Sequence, residues 1–164
     1  YISQNKNQKA KKSLKQGLDI EPKNANALFQ YGNIFLMEKN YEKALSKYKK
    51  SIEIKSDFWQ AINNKGLIYF EKDEISLAIS NFKKAIEIEK NAESMLALGV
   101  SLKETNMRKS ILLVKEALEK NPNYVSFKYR KEQLWGRKLQ KETEELLKIE
   151  ELKKVVSIAN LYKN

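Results

Sequence analysis

The chain contains no cysteine and no histidine. The first absence removes disulfides and thiol nucleophiles, the second removes an imidazole base, and together they remove the usual Cys/His zinc sites. Glycine and proline are scarce, five and two in 164 residues, a profile that disfavours a turn-rich β fold and favours helices. Arginine is thin as well: Arg108, Arg130 and Arg137 stand against 29 lysines, few planar forks for base edges or bidentate phosphate contacts. No run of about 18 apolar residues exists, and the start, YISQNKNQKAKK, has no apolar signal core. The segment reads as soluble and cytoplasmic, and its start in mid-motif is compatible with a targeting or membrane segment upstream.

What the chain does have is a period. Gly32 and Gly66 lie 34 residues apart, and the same shift takes Ala10 to Ala44 to Ala78, Leu14 to Tyr48 to Phe82, and Tyr1 to Phe35 to Tyr69. Pro22, Ser56 and Lys90 fall in the polar connection after an apolar helix, where proline stops a helix without a buried cost. A fourth unit, with slightly shorter spacing, repeats the marks at Gly99, Ser110, Val114, Ala117 and Pro122. Single glycines inside helices cannot form a phosphate cradle, which needs several together after a strand. They mark places where two helices lie close.

Each unit therefore reads as a helix hairpin. The set of glycine early, alanine at the start of a second apolar stripe, an aromatic four residues later and proline at the end resembles the tetratricopeptide repeat. The resemblance covers about residues 1–124: an incomplete unit 1–24, then 25–58, 59–91 and 92–124. Leu28, Ile62 and Met95 replace the early tryptophan of the family, and the terminal proline survives only at Pro22 and Pro122; apolar volume and a helix stop meet both needs. The implied fold is all-α, an α-solenoid winding as a right-handed superhelix, with residues 125–164 as capping helices. After Pro122, Tyr124, Phe127, Leu134, Trp135, Leu139, Leu146 and Leu147 supply one apolar face, and Ile149, Leu152, Val155, Val156 and Ala159 another. Trp135 reads as a packing residue of that cap. A narrower resemblance, over about residues 57–147, is to a cyanobacterial group of tetratricopeptide-repeat proteins with a similar LWG cap helix; it brings no activity with it.

The family resemblance assigns ligand contact to the non-packing face of each first helix. Those positions are Asn26, Phe29, Gln30 and Asn33 in the second unit, Gln60, Asn63, Asn64, Leu67 and Phe70 in the third, and Leu96 in the fourth. Amides there can pair with an extended peptide backbone while the apolar members offer contact. The expected partner is a peptide or helix of another protein. The carboxylate clamp of the chaperone-binding subset is broken: Asn33 and Asn64 match its asparagines, but Phe29, Glu93 and Ala97 hold the basic places.

The formal charge of +11 raises a nucleic-acid reading. The charge lies at the two ends of the chain, with the middle nearly neutral, and Lys15, Lys49, Lys83 and Lys115 take equivalent places on the solvated side of the second helices. Specific nucleic-acid recognition is not expected, leaving weak, salt-sensitive adhesion to polyanions as a lesser alternative. The carboxylates Glu71, Asp73 and Glu74, and Glu142, Glu144 and Glu145, fall where solvated charge is the ordinary outcome, so no catalytic residue, metal site or cofactor is expected. A second alternative is a structural module whose face is filled by its own chain or a sister copy. In the first unit Tyr1 stands where the last aromatic of a first helix belongs, and the uncovered Leu14 and Leu18 make this end a candidate homodimer surface.

Overall fold

The computed structural model describes the backbone of residues 2–164 and side chains from residue 7 onward; the register mark at Tyr1 lies outside the described residues. These residues form ten α-helices and no strand: α1 (Ile2–Ile20), α2 (Ala25–Met37), α3 (Tyr41–Ile54), α4 (Trp59–Glu71), α5 (Ile75–Ile88), α6 (Ala92–Leu102), α7 (Met107–Lys120), α8 (Phe127–Glu132), α9 (Arg137–Leu146) and α10 (Lys153–Tyr162). The 34-residue shift takes the start of α2 to that of α4 and the start of α3 to that of α5. The chain divides into two compact units, Tyr1–Ala61 and Ile62–Asn164.

Asparagine starts four of these helices. The side chains of Asn24, Asn40, Asn91 and Asn106 accept from the N–H of Ala27, Lys43, Ser94 and Lys109 at 2.9, 3.3, 2.8 and 3.0 Å. Each satisfies one donor that a helix start leaves orphaned, worth about 1 kcal/mol. Two hairpins turn through equivalent left-handed residues, Lys39 (φ 58°) and Asp73 (φ 67°). After each, an N–H returns to the first helix, Asn40 to the Phe35 carbonyl at 2.8 Å and Glu74 to the Tyr69 carbonyl at 2.9 Å, which closes the turn.

The glycines do what their spacing implies, with a refinement. A Cβ on Gly32 would lie 2.5 Å from Tyr48 Cε1, and one on Gly66 the same distance from Phe82 Cε1. What these glycines admit is the aromatic ring of the second helix. At Gly99, where Val114 replaces the ring, the neighbours are Val114 Cγ2 at 3.0 Å and the Ser110 carbonyl at 3.1 Å. Tyr48 and Phe82 are wholly buried, as are Ala44 and Ala78, and each ring contributes about 2–3 kcal/mol by leaving water.

The first unit departs from the period. The turn that the register places near residues 4–6 is absent, and α1 runs through it. Ala10, a close-approach mark in the sequence, is exposed, while Leu14 and Leu18 are half-buried.

In the C-terminal unit the chain leaves α7 through a short 3-10 turn, Pro122–Val125, then α8, and breaks at Leu134, which has φ 65°. The break permits α9 to turn back against α6, and a second 3-10 turn, Glu150–Leu152, leads into α10 on α7. Most of the tail's predicted apolar residues are buried here; Phe127 is an exception, 52% exposed.

Candidate functional site

The ten residues expected on the first-helix faces fall into two groups. In the N-terminal unit Asn26 and Gln30 are exposed, and Phe29, Asn33 and Gln60 are half-buried. Phe29 leans on Phe58, ring centroids 4.9 Å apart, and on Tyr48 at 5.8 Å. The Tyr48 hydroxyl donates to Asn33 Oδ1 at 2.7 Å, so the second helix fixes the orientation of Asn33. The result is a face with an amide at each end and an aromatic between them.

In the C-terminal unit Asn63, Asn64, Leu67, Phe70 and Leu96 are buried. The sequence placed them on an open face, and the structure covers that face with the chain's own residues 134–147. Leu67, Phe70, Leu96 and Val100 share one apolar cluster with Trp135, Leu139, Leu146 and Leu147. As a consequence α6 is buried on every side.

Two carboxylates hold the covering segment. Glu71, at the end of α4, accepts from the backbone N–H of Lys138 at 3.2 Å and of Leu139 at 2.9 Å. It caps the start of α9, where negative charge is favoured by the helix dipole and the orphan donors. Gly136 makes this approach feasible, since a Cβ there would lie 2.2 Å from Glu71 Cδ. Glu93, near the start of α6, accepts from Trp135 Nε1 at 3.1 Å and from the Tyr124 hydroxyl at 3.2 Å. The Asn63 side chain also hydrogen-bonds Glu93, and Ser94 Oγ donates to Asn63 Oδ1 at 2.8 Å.

Burial pushes the Glu93 carboxyl up to about 7, against the opposing pull of the bonds from Trp135, Asn63 and Tyr124. The same burial, with the Glu93 charge beside it, raises Tyr124 so that its hydroxyl stays protonated as a donor. At the rim Lys103 pairs with Glu142 and Lys138 with Asp73. Desolvation pulls Lys103 down, but Glu142, Glu104 and Glu145 outweigh it and its pKa is raised.

Behind the segment lies a polar knot that sequence reasoning missed. Arg130 is 0% exposed, with Nε donating to Gln140 Oε1 at 2.9 Å, Nη1 to the Tyr124 carbonyl at 2.6 Å and Nη2 to Glu144. Desolvation lowers its pKa and Glu144 opposes the shift. Several carboxylates read from sequence as solvated charge are thus engaged: Glu71 caps a helix, Asp73 and Glu142 pair with lysines, and Glu144 pairs with a buried arginine. The signal for Glu93 was available in outline, an acid on a face where its neighbours are apolar, but nothing local predicted its partners 31 and 42 residues away.

Among the described residues no group of His, Cys, Asp or Glu is placed to hold a metal ion, and no helix is long and apolar enough to cross a membrane. Lys15, Lys49 and Lys83 are exposed on the second helices, and Lys115 is half-buried.

Hairpins with a fixed period, glycine-for-ring packing and a polar and aromatic first-helix face define a helical-repeat protein of the all-α solenoid class. Tetratricopeptide-repeat models match residues 13–46, and 1–24 with 60–91. The chain carries tetratricopeptide repeats over these residues.

No curated protein matches the sequence. Among solved structures, the crystal structure of MamA is similar at 18% identity and TM-score 0.68, covering 98% of this chain and 95% of that one. MamA 41-end from Desulfovibrio magneticus RS-1 is similar at 17% identity and TM-score 0.68, covering 99% and 91%. YrrB, described as a TPR protein with an unusual peptide-binding site, is similar at 16% identity and TM-score 0.62, covering 98% and 86%. None of these comparisons carries the cyanobacterial resemblance.

Proposed function

We propose that the chain is a protein-interaction scaffold that binds a peptide or helix of a partner protein on its first-helix faces, without catalysis. One observation carries this reading. In the C-terminal unit that face already holds polypeptide, residues 134–147, through an indole hydrogen bond, a capped helix start and buried leucines, contacts of the kind a docked helix makes. The peptide-binding site named for YrrB is in line with it.

The face open to a partner is that of the N-terminal unit. Asn26 and Gln30 supply amide donors and acceptors for a peptide backbone, Phe29 supplies apolar contact, and Asn33 and Gln60 flank them. Selection of a random peptide display library on the chain tests this. Enriched peptides are expected, and Asn26→Lys with Gln30→Lys, both at exposed positions, is expected to abolish their binding while leaving the helical circular dichroism unchanged. Absence of enrichment, or binding indifferent to both substitutions, would refute it.

The reading with the face filled by the chain itself has its own support in the burial of Asn63, Asn64, Leu67, Phe70 and Leu96. It applies to the C-terminal unit and coexists with an open N-terminal face. Weak polyanion adhesion draws on the exposed second-helix lysines, and it would show as retention on heparin that is lost at moderate salt.

A further inference from the structure

The residues that cover the C-terminal face describe the ligand it accepts. Trp135 enters buried, with its indole N–H on Glu93. Gly136 then lets Glu71 reach the first free N–H groups of α9. Leu139, Leu146 and Leu147 follow on the apolar side, and Glu142 meets Lys103 at the rim. Glu71, Glu93 and Lys103 on this side belong to α4, α6 and the residue after α6, while Arg130 of α8 holds Gln140 and Glu144 from behind. What is recognised is a tryptophan and a glycine opening an amphipathic helix with leucines on one stripe and an acid on its flank.

We propose that this face is a docking site for a helix of that kind from a partner protein, and that residues 134–147 are its resident, exchangeable occupant. The inference rests on the scaffold reading and assigns it a second face. The resident segment is tethered, so it competes at a high effective concentration, and a partner sees only the fraction of molecules in which the face is vacant. The chain is therefore closed at this face until the resident segment is weakened or the partner is abundant. Leu134, held at φ 65° immediately before Trp135, is the position where the segment parts from α8.

A labelled peptide with the sequence of residues 132–148, EQLWGRKLQKETEELLK, serves as the probe, and fluorescence anisotropy reads its binding to the full chain. Two variants weaken the resident segment. Gly136→Ala puts a Cβ into the Glu71 carboxylate, at a backbone conformation (φ −74°) that alanine adopts freely. Trp135→Ala removes the indole. The probe is expected to bind either variant at least about tenfold more tightly than the parent chain, in proportion to the vacant fraction. A probe with alanine in place of its tryptophan is expected to lose that gain.

No binding to either variant, when thermal melts show at least one of them folded, overturns the proposal; so does binding that ignores loss of the probe's tryptophan. Adding Asn26→Lys and Gln30→Lys to the Gly136→Ala chain separates the two faces. Unchanged probe binding keeps the site on the C-terminal unit, whereas its loss would transfer the probe to the N-terminal face and refute this inference while sparing the scaffold reading.

Discussion

Replacing Glu93 by glutamine changes one buried charge and little else, and its consequence depends on pH. Burial holds the folded carboxyl near 7 where an ordinary glutamate titrates near 4.5. A group whose folded pKa is raised favours the fold fully below the unfolded value, and that contribution is lost as pH climbs through the folded value. The difference corresponds to at most about 3 kcal/mol, because each pKa unit is worth about 1.4 kcal/mol. Between pH 5 and pH 8 the parent chain should lose about 2 to 3 kcal/mol that the Glu93→Gln variant keeps. Glutamine still accepts from Trp135 Nε1, so the two proteins should be nearly equal in stability at pH 5, and the variant should be the more stable at pH 8. Urea unfolding followed by circular dichroism at both pH values supplies the comparison, and every other titrating group cancels in the difference. Parallel pH dependence in parent and variant would show that Glu93 is not the desolvated carboxylate described here.

Four further substitutions test the packing. Gly66→Ala gains about 1 kcal/mol of helix propensity but must displace the buried Phe82 ring, an overpacking cost of about 1–3 kcal/mol, so a net loss is expected. Gly17→Ala meets no atom within 4 Å and should gain about 1 kcal/mol, and a thermal melt of both variants would expose an error in either sign. Ser110 stands where the repeat has Ala44 and Ala78, and its buried hydroxyl has no partner; Ser110→Ala should stabilise the chain by about 1–2 kcal/mol in urea titrations. Arg130→Met strips donors from Gln140 and the Tyr124 carbonyl, and unfolding should show a loss of about 3 kcal/mol, against almost none if the knot were a surface ion pair.

The hairpins were legible in the sequence because repetition supplies its own control: a glycine at 32 and again at 66 cannot be accidental when Ala44 and Ala78, and Tyr48 and Phe82, keep the same distance. The asparagine caps and the left-handed turns at Lys39 and Asp73 follow from local chemistry. The path of the tail was not legible. Its apolar stripe predicts that Trp135, Leu139 and Leu146 are buried but does not say against what, since period alone gives a face and no partner. The break at Leu134 had no proline or glycine at that residue to announce it. For the same reason the face of the third and fourth units read as open: Leu67, Phe70 and Leu96 suit a ligand's apolar stripe whether it arrives from another protein or from residues 134–147. Arg130 was counted among a few scattered arginines, and only the fold brings it to Gln140 and Glu144.

Polypeptide occupies the first-helix face of the C-terminal unit, and Trp135 reports on it directly. With Trp59 changed to phenylalanine, Trp135 is the sole tryptophan, and at 4% exposure it should emit as a blue-shifted indole that acrylamide quenches poorly. Red-shifted emission, quenched as readily as a free indole in a chain that is otherwise folded, would contradict the account.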